Sequence, residues 1–451
     1  MRPDLNLDYA LLIPELLLGG LALLIIALDM FGKVKKEQLP YITVAGLIVA
    51  MIASLLFLDT NDNFAGLIRI DDYTAFFRVF FIGTTIFVVL ASAKYVDRKL
   101  KHPGEYYALL VISTVGAIYM AAAQELLTAY LSLEVLSFCL YVLVSYAKLD
   151  SRSNEAGMKY MLLGAFASAL LLYGISFIYG TAGSTTYSEI NDAFNDGIGE
   201  FSLGTLAGLT LIVAGLGFKV AGFALLLRLL STGLLPVIDD WRFMIAVVAA
   251  ITMLAGNLIA LWQTNIKRLL AYSSIGQVGY LLMGLVALSP EVTSAMLLHM
   301  TGYIITNLAA FTAIIAYHNQ TDAEELSEFR GMSDRSPLLA MITAVSLFSL
   351  AGMPLFAGFF TKFVFFQSVA DNGYFWLASV AVLSSFISLY YYLIVLKAAY
   401  IDPTEERSRL TIPVFTQAVA VVLALAVFAV GLYPAPLFEV TDSVARALFA
   451  G

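Results

Sequence analysis

Four ionisable side chains, Glu134, Lys159, Lys219 and Lys362, lie inside long apolar stretches of the sequence. A charge in mid-membrane costs about 2.5–3.5 kcal/mol on insertion scales, so such residues mark ion or proton paths unless structural pairing accounts for them. Glu134 stands in Thr128-Ala-Tyr-Leu-Ser-Leu-Glu134, nine residues after Glu125 and fourteen before Lys148, too deep to snorkel easily. Ser137 and Tyr141 follow at helical spacing and make its face polar. Lys219 is fifteen residues into its stretch, also deep. Lys362 follows Ala351-Gly-Met-Pro354 and Ala357-Gly358, where proline removes a backbone donor and glycine relaxes the chain. A broken helix there would leave unpaired backbone groups beside the lysine; a simple kink is the plainer alternative. Lys159 is near the start of its stretch and can snorkel. Arg228 and Glu15 lie close to stretch ends, and His299, near Met296 and Met300, reads as a packed or hydrogen-bonded histidine. For each buried lysine the plainer reading is a charge paired for structure. For Glu134 it is a protonated carboxyl bonding a neighbouring helix.

One carboxylate and several lysines have a natural joint use. Leaving water favours a neutral lysine, and a nearby carboxylate favours the charged form. Moving the carboxylate changes which effect wins, and each tenfold change in proton affinity is about 1.4 kcal/mol. That is a device for translocating protons. Redox and hydrolytic chemistry find no support, because no phosphate loop, Gly-x-Gly-x-x-Gly fingerprint or nucleophile–base pair occurs. Cys139 is the only cysteine, so an internal disulfide, a thiolate cluster or an iron–sulfur site is impossible. His102, His299 and His318 lie well apart, which argues against a histidine metal or haem site.

The elements that carry these residues follow from composition. Of 451 residues, 60% are hydrophobic and 13% charged, against about 25% charged in soluble domains. A soluble enzyme and a disordered chain are excluded. The net charge of −8, with no basic block, argues against nucleic acid. What remains is an all-α, polytopic transmembrane bundle. About 20 apolar residues cross a bilayer core. Thirteen stretches qualify: 9–30, 40–58, 74–93, 106–123, 125–146, 156–180, 204–230, 243–262, 268–289, 294–317, 338–371, 376–397 and 411–433. They lack the alternation of a membrane β-barrel. The first carries Glu15 and Asp29 and is expected to be a span rather than a signal peptide.

Loops 31–39, 94–105 and 147–155 hold the early lysines and arginines, whereas 59–73 is acidic apart from Arg69 and 181–203 has neither basic type. Positive-inside logic puts the basic loops in the cytoplasm and the N-terminus outside. The alternation fails if 204–230 is a single span, for Lys267, Arg268, Arg407 and Arg409 then fall outside. Two spans between 203 and 242 restore it. One crossing therefore reads as missing near 219–222, unless the charge rule itself fails here.

Several runs resemble the antiporter-like, proton-pumping membrane subunits of respiratory complex I, and among them the NADH-quinone oxidoreductase subunit N family. They are Pro14-Glu15, Leu126 through Glu134, Glu155-Ala-Gly-Met-Lys159 through Phe166, Gly215-Leu-Gly-Phe-Lys219, Asn265 through Tyr280, and Leu350-Ala-Gly-Met-Pro with Gly358 through Lys362. The resemblance implies a single transmembrane domain over 1–451 with fourteen helices. It implies inverted repeats at 106–230 (incomplete) and 243–397, a C-terminal helix within 398–451, and discontinuous seventh and twelfth helices. It makes Glu134 the fifth-helix glutamate, Lys219 the seventh-helix lysine and Lys362 the twelfth-helix lysine near the periplasmic exit. Lys159 becomes the sixth-helix lysine. It further implies a cytoplasmic (inner) membrane, periplasmic termini in the full-length topology, and lipid and other complex I membrane-arm subunits as partners. No cofactor is expected in this chain; quinone, NADH, FMN and iron–sulfur clusters are expected in partner subunits.

The sequence departs from that family after Lys219. A Pro-Phe-His-x-Trp run and a Ser-Lys-Ala stretch should follow, yet Val220 runs straight into Ala221 through Arg228, which resembles the end of the eighth helix. Roughly 25–35 residues, one span of ~20 plus a connector, are absent, and with them the eighth-helix lysine. Two other readings stand beside the pump: a cation/proton antiporter subunit of the same fold, and a non-pumping subunit that braces the membrane arm.

Overall fold

The computed structural model describes residues 8–32, 34–197, 201–216, 221–404, 406 and 408–450. Lys219 lies outside the described residues, as does the family-like run 217–220. The chain forms helices α1 (Ile13–Phe31), α2 (Leu39–Leu55), α3 (Asp72–Lys99), α4 (Pro103–Ala122), α5 (Leu126–Val144), α6 (Ser151–Ala182), α7 (Tyr187–Asn195), α8 (Leu203–Leu216) and α9 (Ala221–Arg228). They continue as α10 (Ile238–Ala260), α11 (Ile266–Val286), α12 (Pro290–Thr321), α13 (Met332–Arg335), α14 (Pro337–Ala351), α15 (Ala357–Val369), α16 (Phe375–Tyr400), α17 (Val414–Leu432) and α18 (Ala435–Ala450). A two-stranded ribbon, β1 (Asp62–Phe64) and β2 (Ile68–Ile70), pairs Asp62 with Ile70. Eleven helical stretches are long and apolar enough to cross a membrane among the described residues. They correspond to eleven of the thirteen expected spans; 204–230 and 338–371 are instead each divided in two.

Two compact units result, Met1–Trp241 with Arg446–Gly451, and Arg242–Ala445. Both contain the same local device. Glu125 caps α5 by accepting from Thr128 N, and backbone bonds Leu126 N–Thr185 O and Tyr187 N–Gln124 O tie that helix start to the entry of α7. In the second unit Asn265 caps α11, and Ile266 N–Glu324 O and Leu326 N–Thr264 O repeat the arrangement. In each, a helix of 32 residues, α6 or α12, separates the two tied points.

In the first unit, the expectation of one helix over 204–230 is corrected. The 14 residues of α8 span about 21 Å, short of the ~30 Å apolar core. A Cβ on Gly222 would meet the Leu216 carbonyl oxygen at 2.8 Å. In one straight helix those positions would stand about 9 Å apart along the axis, so the chain turns back on itself. After α9, a π-helical turn over Leu229–Gly233 follows, and Asn191 of α7 donates to Thr232 O at 2.9 Å. Residues 203 and 233 thus lie at the same end of the unit, where α3 and α5 begin and α4 finishes. The half-helix pair makes no net crossing. The two spans expected here are not formed; a pair without net crossing nevertheless leaves Lys267, Arg268 and Arg409 on the side those two spans would have given them.

Candidate functional site

Lys362 is placed by the divided helix of the second unit, where the break predicted over 351–358 occurs. Helix α14 stops at Gly352, which adopts φ +85° as a left-handed cap. Leu355 is also left-handed, at φ +79°. Gly358 passes so near α14 that a Cβ there would lie 1.8 Å from Ser349 O, and its N–H donates to Ser349 Oγ at 3.0 Å. These contacts set the start of α15 beside the carbonyl end of α14. The lysine, 5% exposed, donates from Nζ to Leu350 O at 2.7 Å and to Ser385 Oγ at 3.1 Å. Ser385 Oγ in turn reaches Ala351 O at 3.4 Å. The Tyr280 ring centroid lies 5.4 Å from Nζ.

Among the described residues, no carboxylate pairs with Lys362. The charge is held instead by the negative end of a helix dipole, by the Ser385 hydroxyl and by the Tyr280 ring face. A cation in such a setting is solvated but not neutralised, and its proton can leave without breaking an ion pair. His299 is buried beside this cluster, with Nδ1 3.2 Å from Thr361 Oγ1 and Nε2 3.2 Å from Gln277 Oε1. It is the hydrogen-bonded histidine expected from the sequence.

Glu134 sits on α5, half-buried, and its carboxylate accepts from Ser168 Oγ on α6. Tyr141 lies on the same face, its ring 5.1 Å from Tyr160. Gly164 makes room for it, because a Cβ there would lie 2.0 Å from the Tyr141 hydroxyl. Lys159 points elsewhere. It pairs with Glu155 one turn earlier at 2.6 Å, with side chains 71% and 65% exposed on the outer face of α6. Glu134 and Lys159 are therefore not brought together.

The first unit also holds two buried ion pairs that the motif reading missed. Arg78 grips Glu15 with two bonds of 2.7 and 2.9 Å and donates to Leu11 O at 2.9 Å. Arg228 grips Asp71 at 2.9 and 2.8 Å and donates to Ala121 O at 2.7 Å and to Thr74 Oγ1 at 3.1 Å. Burial alone would raise the Asp71 carboxyl, but the Arg228 charge and hydrogen bonds, with the Thr74 amide, hold it below the usual carboxylate range. Glu15 and Arg228 stand out in the sequence only as weak candidates near stretch ends. The available signal was that spans one and three both begin at the same end as these partners.

A helix broken beside a buried lysine, within two similarly capped units, is what the family comparison has to explain. Residues 123–228 and 210–388 match the family described as NADH:quinone oxidoreductase/Mrp antiporter, TM. The NADH-quinone oxidoreductase subunit N of Heliobacterium modesticaldum is 34% identical, over 98% of this chain and 100% of the relative. The chain belongs to the NADH-quinone oxidoreductase subunit N family. A subunit N of Moorella thermoacetica is 36% identical over 95% of this chain and 96% of that relative. Among solved structures, a chain of respiratory complex I from Thermus thermophilus with bound aureothin has a TM-score of 0.78 at 26% identity, covering 94% of this chain and 98% of its own. A chain of the Mrp complex from Dietzia shares the fold, with a TM-score of 0.83 at 18% identity and 98% coverage of both. The alignment to the Heliobacterium subunit N runs over 487 positions, more than the 451 residues available here, so that relative carries residues with no counterpart. The two family matches share 210–228, the re-entrant hairpin itself.

Proposed function

We propose that this chain is a non-redox subunit of the membrane arm of a respiratory NADH-quinone oxidoreductase. Quinone reduction in partner subunits drives protons past Glu134, Lys219 and Lys362, with Lys159 in a secondary role. The observation that carries the reading is Lys362, buried at the carbonyl end of α14 without a carboxylate partner among the described residues. The bonds to Leu350 O and Ser385 hold the ammonium, and loss of either favours release of its proton. Glu134, accepting from Ser168, is the carboxylate whose charge can change within the first unit. The repeats over 106–230 and 243–397 are supported by the matching caps and backbone ties at Glu125 and Asn265. The membrane is the cytoplasmic one, the termini face the periplasm in the full-length topology, and NADH, FMN, iron–sulfur clusters and quinone belong to partners.

A second reading has one specific observation behind it. Where the second unit has α14, α15 and the full α16, the first has only α8 and α9. The absent segment would carry the eighth-helix lysine, which a bracing subunit would not need. One experiment separates them. The assembled oxidoreductase is placed in vesicles, and protons moved per quinone reduced are measured for Glu134→Gln, Lys219→Ala and Lys362→Ala. A lower yield at a retained electron-transfer rate is expected. An unchanged yield in all three would leave the bracing role.

A further inference from the structure

A second cluster in the second unit lies behind Tyr280, out of reach of the lysine's own hydrogen bonds. Asn257 of α10 donates from Nδ2 to Ser384 Oγ on α16 at 2.7 Å and to the Met253 carbonyl at 3.0 Å. Tyr391, two turns further along α16, donates from its hydroxyl to Asn257 Oδ1 at 2.6 Å. Ser384 Oγ donates to Met253 O at 3.0 Å, and the Tyr280 hydroxyl reaches Ser384 Oγ at 3.4 Å. Asn257, Ser384, Tyr280 and Tyr391 are all buried. Helix α11 confines the amide, since a Cβ on Gly276 would lie 2.5 Å from Asn257 Nδ2.

The direction of these bonds is fixed. A carbonyl only accepts, so the Met253 contact identifies Nδ2, and Oδ1 must then face Tyr391. Both amide hydrogens are donated and the oxygen accepts from a phenol. The donors run from Tyr391 through Asn257 to Ser384, which the Tyr280 hydroxyl also reaches, and end on a peptide carbonyl. Hydroxyls pass a proton by accepting one and releasing another. A carboxamide can do so only through a high-energy imidic-acid form. The bonds of Lys362 end in the same way, on Leu350 O and, through Ser385, on Ala351 O.

We propose that Asn257 is a positioning residue that insulates Lys362: it aligns Ser384 and Tyr280 beside the lysine while interrupting the hydroxyl series that Tyr391 would otherwise complete. The side it closes is the end of the unit where α10 and α16 finish. The titratable groups around the cluster include Lys362, Tyr280 and, 6.2 Å from the Tyr280 ring, His299 on one side, and Tyr391 and the adjoining Tyr392, whose rings are 4.5 Å apart, with Tyr303 near Tyr392, on the other. The inference rests on Lys362 carrying protons.

The test uses the assembled oxidoreductase in vesicles, reading protons moved per quinone reduced alongside turnover. Asn257→Asp keeps the size and adds a group that can accept a proton from the Tyr391 side and release it towards Ser384. The proton yield is expected to fall at least twofold. Asn257→Leu disturbs the alignment without offering a proton site, so turnover falls while the yield per quinone is kept. If the two variants lower turnover alike and neither changes the yield, Asn257 is only structural and the proposal is overturned. Should Asn257→Asp fail to assemble, Tyr391→Phe decides, because an insulated cluster predicts an unchanged yield. A lower yield in that variant, with normal assembly, would mean that protons pass through the cluster and would refute insulation. Lys362→Ala with a full yield would sink the underlying reading instead, independently of Asn257.

Discussion

Replacing Asp71 with Asn tests how the first unit closes its re-entrant hairpin. Arg228 is the last residue of α9, and its guanidinium is 1% exposed. Five contacts hold it: two bonds to Asp71, one each to Ala121 O and Thr74, and the Tyr73 ring at 4.7 Å. An amide keeps the shape of Asp71 but removes the only carboxylate that these bonds supply to Arg228. Leaving a buried charge uncompensated costs about 3–5 kcal/mol, whereas exchanging both partners for apolar groups of similar volume is often neutral. Asp71→Asn is therefore expected to lose about 3–5 kcal/mol, and the double variant Asp71→Leu with Arg228→Met to recover most of it. Unfolding of the purified protein in detergent, titrated with a denaturing surfactant and followed by helical circular dichroism, measures both. The pH dependence has a definite sign. The folded Asp71 carboxyl is depressed below 3.8, so its contribution is complete above that value and is lost as pH falls through the folded one. The gap between wild type and Asp71→Asn should be constant from neutrality down to about pH 4 and close below it. A loss under about 1 kcal/mol, as for an exposed pair, would refute the buried anchor and the hairpin end it fixes.

Gly358→Ala puts a methyl group 1.8 Å from Ser349 O, so a loss of about 1–3 kcal/mol is expected, with proton yield reduced because Lys362 moves off the α14 carbonyls; vesicle pumping reads the second effect. Lys267 pairs with Glu324 at 2.7 Å with both side chains more than a third exposed, so Lys267→Ala should cost under about 1 kcal/mol. The Lys267 hydrogen bond lowers the Glu324 carboxyl, and that small contribution should fade as pH falls through its folded value, checked by the same unfolding titration at acid pH. Cysteines introduced at Asn195 and Asp240, with Cys139 replaced by Ala, should react with an impermeant thiol reagent from one face of the membrane, and one at Lys36 from the other. Labelling of Asn195 and Asp240 positions from opposite faces would dispose of the hairpin.

The fold was legible where one physical signal dominated. Apolar length gave the eleven full spans, and Gly-Met-Pro with Ala-Gly gave the divided helix around Lys362, because proline and glycine act locally. The hairpin at 203–233 was not legible as such. Its residues are as apolar as a single span, and nothing local distinguishes a helix that continues from one that doubles back. Only the distant charge parity constrained it, and parity cannot tell zero crossings from two. Lys362 was found because it is isolated in apolar sequence. Arg78 and Asp71 were not, because each lies near a span end, where a charge usually reaches water. Their burial comes from the ribbon, the neighbouring helices and the hairpin, which are long-range packing. Lys159 shares its type with Lys362 but stands near the start of its stretch, and it faces outward, because helical phase decides that and Glu155 one turn away pairs with it.

The two units are unequal in the feature that matters for proton movement. In the second, a divided helix supplies an open carbonyl end, and the following α16 supplies Ser385 to complete the shell of Lys362. Among the described residues of the first, α8 is followed by the 8 residues of α9, against the 13 of α15 in the second. If the relatives with the longer alignment use both units, an oxidoreductase carrying this chain should move fewer protons per quinone than the same complex with the Heliobacterium subunit in its place. The comparison is internal, since partners, lipid and electron donor are held constant. An equal yield would mean either that the hairpin turn carries protons without the absent segment or that the second unit alone sets the count. Lys219→Ala, measured in both complexes, decides between them: loss of yield assigns the work to Lys219 in the first unit, and no change assigns it to the Lys362 shell.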